Sequence, residues 1–159
     1  NEIWNFQQID LGFNYRMNDI QAALGLSQIK RLDDYIKKRQ YIAKIYNKQL
    51  KSLLIKTQQQ FPGVYSSFHL YSACFKENNN TKIQKNIYDT LRKNGIAVNV
   101  HYIPVHRHPY YENLGFKKED FPEAEKFYRE AISLPIYPSL SNKQQDFVVK
   151  SLASVLKNI

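Results

Sequence analysis

Several residue types are scarce in this chain, and each shortage removes a class of function. A single cysteine, Cys74, among 159 residues rules out an internal disulfide framework and fits a reducing, cytoplasmic setting. It sits in the apolar run Tyr71-Ser72-Ala73-Cys74-Phe75, which suits a buried, inert thiol better than a nucleophile. The five glycines stand isolated, so there is no glycine-rich phosphate loop. No serine lies in a glycine-flanked elbow, which removes the nucleophile-elbow hydrolases. No apolar run approaches bilayer-spanning length and no signal-peptide pattern opens the chain, so no membrane partner is expected. The spacing His101-x4-His106-x-His108 is not a zinc pattern, and Glu112 is the only carboxylate near it, so no metal is expected.

Acidic residues are also few, 14 against 23 basic, for a net charge of +9. Such an excess can signal nucleic acid, an anionic membrane surface or anionic small molecules. The bases from Lys30 to Lys51 are spread along one predicted helical region, the pattern of a solvated helix face. No zinc finger, basic zipper or aromatic ribonucleoprotein motif accompanies them, so nucleic acid is not the expected partner. A basic nucleic-acid-binding module, or a stand-alone interaction domain, is the alternative reading. The first residue is Asn1 rather than Met, which suggests a fragment or a processed piece.

What is present reads as one α+β chain with enough residues for a real core. Residues 1–17 form an irregular lead-in carrying Trp4, Phe6, Phe13 and Tyr15. A helix is expected from Asn18 to about Leu32, with Ile20, Leu24 and Ile29 near one side. A second follows from Asp33 or Asp34 to about Leu53, and the pattern leaves open whether the two are continuous. Pro62-Gly63 marks a turn. Val64 to Lys76 reads as a strand, with His69 and Tyr71 on one face. Thr81 and Gln84 open a helix that Asn94-Gly95 closes. Ile96 to Val100 reads as a short strand, and residues 101–111 as irregular. A helix starts near Pro122 with Ala124, Phe127, Tyr128 and Ala131 inward. Ile132 to Ile136 is a short strand, and Ser141 with Gln144 opens the last helix.

The most informative stretch is the first helix start. Asn18 is a good N-cap, and Gln21, three residues on, completes a capping box. Asn14, Tyr15 and Arg16 precede it: an amide, a phenol and a guanidinium beside a helix N-terminus suit an anion such as a phosphate. The plain alternative is a polar loop that only caps a helix. His101 and His106 suggest hydrogen-bonding groups in a loop at a strand end, or simply locally bonded histidines.

Two longer motifs carry a resemblance. Leu11-Gly12-Phe13-Asn14-Tyr15-Arg16-Met17-Asn18-Asp19-Ile20-Gln21-Ala22-Ala23-Leu24-Gly25 closely resembles the G-x-N-Y-R-M-x-D-x-Q-A-A-x-G signature of the DegT/DnrJ/EryC1/StrS sugar aminotransferases, and Leu26 to Asp33 continues the match. The run Gly95 to His106, then Pro109-Tyr110-Tyr111, residues 121–125 and Ile132 to Ile136, resembles that family's C-terminal region. The Val98-to-His106 run is most similar to the subgroup that aminates a UDP-linked 4-keto-6-deoxy sugar on the way to pseudaminic acid.

The resemblance implies a fold type I enzyme dependent on pyridoxal 5'-phosphate, working as a homodimer with shared active sites. Its substrates would be a UDP-sugar and an amino donor, expected to be glutamate. It implies that residues 1–32 end the large domain and that 33–159 form the C-terminal small domain, long helices plus a small antiparallel sheet. The family's Schiff-base lysine would lie before Asn1, so no residue here is assigned to catalysis and the fragment alone is expected to be inactive. By position, Asn14 corresponds to an asparagine that reaches the cofactor phosphate of the neighbouring subunit. Arg16 would support that phosphate or the sugar nucleotide. His101, Tyr102 and His106 match the segment lining the nucleotide-sugar pocket.

Overall fold

A computed structural model describes residues 10–13, 15–53, 55–75 and 82–157. The chain divides into two compact units, 1–33 and 34–159.

The first unit holds helix α1 (Asp19–Ile29). The expected capping box forms: Gln21 N–H donates to Asn18 Oδ1 at 2.9 Å, and Asn18 N–H donates to Gln21 Oε1 at 3.1 Å. The helix yields to a turn at Lys30–Arg31, and α2 (Leu32–Leu50) begins directly after it. The two helical stretches are therefore separate. Neither glycine nor proline makes the break; Arg31 N–H bonds Gln28 O at 3.0 Å and its guanidinium folds back on Ser27. No residue of α1 is buried.

The second unit is a helical layer on a three-stranded antiparallel sheet of order β1-β2-β3. The strands are β1 (Ile55–Thr57), β2 (Tyr71–Phe75) and β3 (Ala131–Leu134). Register pairs Ile55 with Phe75, Ala73 with Ile132 and Tyr71 with Leu134. Alternation puts these six on one sheet face, where they join the buried stripes of α2, α3 (Lys82–Lys93) and α6 (Asn142–Lys157) in one cluster. Burying each Ile or Leu of that cluster, such as Ile87, Leu91 and Leu152, is worth about 1.5–3 kcal/mol. Ser72 and Cys74 point to the other face, flanked by α5 (Pro122–Glu130).

Long-range bonds tie the layers. Tyr46 and Tyr71 pack at 4.9 Å between ring centroids; Tyr46 donates to Pro135 O at 2.9 Å and Tyr71 to Asn47 Oδ1 at 2.6 Å. Arg39 Nη1 on α2 reaches Phe68 O, His69 O and Ile136 O at 3.1, 3.2 and 2.9 Å. It holds the approach to β2 and the exit from β3 to one helix.

Several expectations need correction. The strand expected over 64–76 is only Tyr71–Phe75. Phe68 adopts φ +46° and is buried, which bends the chain before β2. His69 is consequently exposed while Tyr71 is buried, and the two share no strand face. Residues 96–100 form one bridge, Asn99 to Ser133, rather than a strand. β1 is too short for its period to show in the sequence. A short helix α4 (Pro109–Asn113) begins inside the stretch 101–111 read as irregular. On α5 the buried residue is Glu125, while Ala124 and Phe127 are exposed. The Thr81–Gln84 box lies outside the described residues at Thr81; the Gln84 amide nitrogen donates to Tyr128 O and Ala131 O, both at 2.7 Å, joining α3 to the end of α5. The Gly95 cap (φ +77°) and the Ser141–Gln144 box form as read.

Candidate functional site

The loop before α1 shapes a cleft of about 500 Å3 lined by Tyr15, Arg16, Met17, Gln21 and Gly25. Phe13 and Tyr15 stack at 5.4 Å, and Tyr15 and Arg16 are exposed. Of the helix-start amides, Gln21 N–H is already committed to Asn18 Oδ1, and Asp19 adds a negative charge to the first turn. The anion complement of this cleft therefore rests on the Arg16 guanidinium more than on the helix end. Asn14 lies outside the described residues.

In the second unit, His101 and Tyr102 leave the Asn99–Ser133 bridge side by side, their rings edge-on at 4.6 Å. Val100 N–H donates to Asn99 Oδ1 at 2.9 Å, which fixes the Asn99 amide. Asn99 Nδ2 therefore faces His101 Nε2 at 3.1 Å. An amide nitrogen only donates, so Nε2 accepts, and the ring proton sits on Nδ1, donated to Ser133 Oγ at 2.8 Å. Both ring nitrogens are thus engaged. Tyr102 is 71% exposed, so among these residues it is the one that presents most of its ring and its hydroxyl to solvent.

His106 turns the other way. It is 7% exposed, its Nε2 lies 3.1 Å from Glu125 Oε1, and its ring packs on Phe121 at 4.8 Å. Glu125 is 3% exposed. Its second oxygen has no hydrogen-bond partner and faces Arg107 Nη1 at 3.6 Å, while that guanidinium lies over the Tyr128 ring at 5.6 Å. His106 thereby anchors the segment 105–107 to α5. It also forms one wall of an apolar cavity of about 400 Å3, with Val105, Tyr111, Phe116 and Phe121 as further walls.

The sequence-assigned residues thus separate by unit. Arg16 lines the first cleft, and His101, Tyr102 and His106 lie within one segment of the second unit. Glu125, Ser133 and Asn99, which orient the two histidines, were missed. The signal for them was that all three lie in the family-like runs Gly95 to His106, 121–125 and Ile132 to Ile136. Cys74 is half-buried, and burial, aided by Glu130, pushes its thiol pKa up, against a nucleophilic role. Among the described residues no group of three or more His, Cys, Asp or Glu side chains is arranged to hold a metal, and no helix is long and apolar enough to cross a membrane.

The DegT/DnrJ/EryC1/StrS aminotransferase family model matches residues 2–153. The UDP-4-amino-4,6-dideoxy-N-acetyl-beta-L-altrosamine transaminase of Campylobacter jejuni is 32% identical over 99% of this chain and 42% of its own length. Helicobacter pylori PseC, an aminotransferase involved in the biosynthesis of pseudoaminic acid, superposes with a TM-score of 0.84 at 29% identity, over 100% of this chain and 43% of that one. The PLP form of Spr1654 from Streptococcus pneumoniae gives a TM-score of 0.87 at 30% identity, over 98% of this chain and 40% of that one. The chain spans about two fifths of the length of these relatives. The family is pyridoxal-phosphate-dependent. The described residues fit the phosphate end of that cofactor: a guanidinium and a phenol line an open cleft at a capped helix start.

Proposed function

Because the chain belongs to the DegT/DnrJ/EryC1/StrS aminotransferase family, we propose that it is the C-terminal part of an enzyme that aminates the C4 ketone of a UDP-linked 4-keto-6-deoxy sugar, with glutamate as donor. The observation that carries the substrate class is the match, over 99% of this chain, to a transaminase named for a UDP-linked 4-amino-4,6-dideoxy sugar, which is what amination of such a ketone yields. The division after Asp33 supports reading residues 1–32 as the end of the large domain and 33–159 as the small domain. A homodimer and a cytoplasmic location follow from the same reading.

When bound, pyridoxal phosphate supplies the electron sink for amino transfer. The residues of this chain bind and orient. Arg16 would pair with the cofactor phosphate, and Asn14 would donate its amide to the same group. The Asn18–Gln21 box holds the helix start that Arg16 precedes. Tyr102 would contact the nucleotide sugar. His101, held by Asn99 and Ser133, and His106, held by Glu125, would set the wall of that pocket. The lysine that moves the proton is assigned to none of the residues here.

Mixed with pyridoxal phosphate, this chain alone is expected to give no new visible absorbance band and no turnover. A stoichiometric band with turnover of glutamate overturns the placement of the lysine. In the longer protein, Asn14→Ala and Arg16→Ala are expected to speed cofactor loss on dialysis, and unchanged retention removes them from the site.

A further inference from the structure

The basic excess is not spread evenly. No acidic residue lies between Asp34 and Glu77, a stretch that contains nearly all of α2. On that helix Lys37, Tyr41, Lys44 and Lys48 are all exposed. Their spacings of four and three residues keep them within about 60° of arc. This stripe lies opposite the buried Ala43, Tyr46 and Leu50.

Helix α6 repeats the arrangement independently. Lys143, Phe147 and Lys150 are exposed at the same four-then-three spacing, opposite the buried Gln145, Val148 and Leu152. In both helices a lysine pair flanks an aromatic ring open to solvent, Tyr41 at 57% and Phe147 at 52% exposure. The buried stripes of α2 and α6 join the same cluster with the Tyr71/Ala73/Phe75 face of the sheet. Gln145 Nε2 donates to Ile42 O at 2.8 Å, which ties the two helices directly. Both basic stripes therefore point away from the sheet on the same side of this unit. The one acid of α6, Asp146, accepts from Gln49 of α2 at 2.6 Å, which turns it toward the neighbouring helix.

We propose that this outer α2/α6 face is a peripheral docking surface for an anionic phospholipid bilayer. No nucleic-acid-binding motif accompanies these stripes, and protein interfaces are depleted in lysine. A headgroup plane instead takes lysine point charges wherever they fall, and it accommodates Tyr and Phe rings at its boundary. No spanning segment is required, so the lack of a long apolar run does not bear on it. The proposal does not depend on the aminotransferase reading.

Sedimentation of the 159-residue chain with vesicles tests it. Binding is expected to mixed phosphatidylcholine–phosphatidylglycerol vesicles, not to phosphatidylcholine alone, and is expected to fall as salt rises. Each neutralised lysine should lower partitioning about five-fold, so Lys44→Gln with Lys150→Gln should lower it roughly 25-fold. Tyr41→Ser with Phe147→Ser should weaken it further. Lys118→Gln with Lys126→Gln, near or on α5, removes the same charge elsewhere and should have far less effect. All six positions are exposed, and circular dichroism checks that each variant folds. The proposal is overturned by absence of binding to the anionic vesicles, by equal losses from the two lysine pairs, or by a single-stranded oligonucleotide displacing the vesicles.

Discussion

Glu125 offers the sharpest perturbation in the candidate site. Its carboxylate and the His106 ring are 3% and 7% exposed and 3.1 Å apart, so water can replace neither partner when the other is removed. Arg107 stands 3.6 Å from the second oxygen and makes the pair unequal. In His106→Leu the carboxylate still faces a guanidinium. In Glu125→Leu the histidine loses its hydrogen-bond partner and the arginine its nearby opposite charge. Breaking a buried pair costs about 3–5 kcal/mol. We expect Glu125→Leu at the upper end of that range and His106→Leu at its lower end or below. Glu125→Gln keeps the shape and should cost about 1–3 kcal/mol. The double His106→Leu/Glu125→Leu variant removes both members of the hydrogen-bonded pair and strands only the part-exposed Arg107, so it should be more stable than Glu125→Leu alone. Urea unfolding followed by far-UV circular dichroism measures this, and a loss of 4 kcal/mol corresponds to a midpoint shift of about 2 M for a slope near 2 kcal/mol/M. The reasoning fails if every single variant lies within about 0.5 kcal/mol of the parent, or if the double variant is simply the sum of its parts.

Three further outcomes follow from other contacts. Burial raises the pKa values of Tyr46 and Tyr71 well above that of a free tyrosine; the folded state keeps both protonated where the unfolded chain does not. Stability should be unaffected by these groups below about pH 10, then fall by roughly 1.4 kcal/mol per pH unit for each, seen as tyrosinate absorbance that rises only as the protein unfolds. Arg39→Met removes a half-buried cation whose Nη1 meets three carbonyl oxygens with only two hydrogens; a loss of about 1.5–3 kcal/mol in urea is expected. Asn18→Ala should cost α1 about 1 kcal/mol, read as roughly five-fold faster amide exchange at Gln21.

The two histidine assignments show where sequence reasoning stops. His101 and His106 stand out in sequence as polar groups in a proline-punctuated segment. Their partners do not, because Ser133 and Glu125 lie 32 and 19 residues away and are ordinary residues of a strand and a helix. The sequence treats the two histidines alike, yet one sits half-buried at the edge of a bridge while the other turns inward against a carboxylate. Likewise, the apolar stripe of α1 has the periodicity of a core helix but is exposed within its own unit. The stripes of α3 and α6 look no different in sequence and are buried.

The sequence alone determined the features satisfied within a few residues of themselves: the capping boxes at Asn18 and Ser141, the turn at Pro62-Gly63, the left-handed stop at Gly95, and the signature that places the chain in its family. Each box, turn and stop closes a local hydrogen bond or meets a local backbone demand, so neighbours suffice to specify it. Tertiary structure alone decided how long β2 is, which stripes become core, where His106 points, and that the basic faces of α2 and α6 lie on one side of the sheet. Those outcomes depend on partners distant in the chain, and burial is granted by whatever arrives opposite rather than by the residue buried.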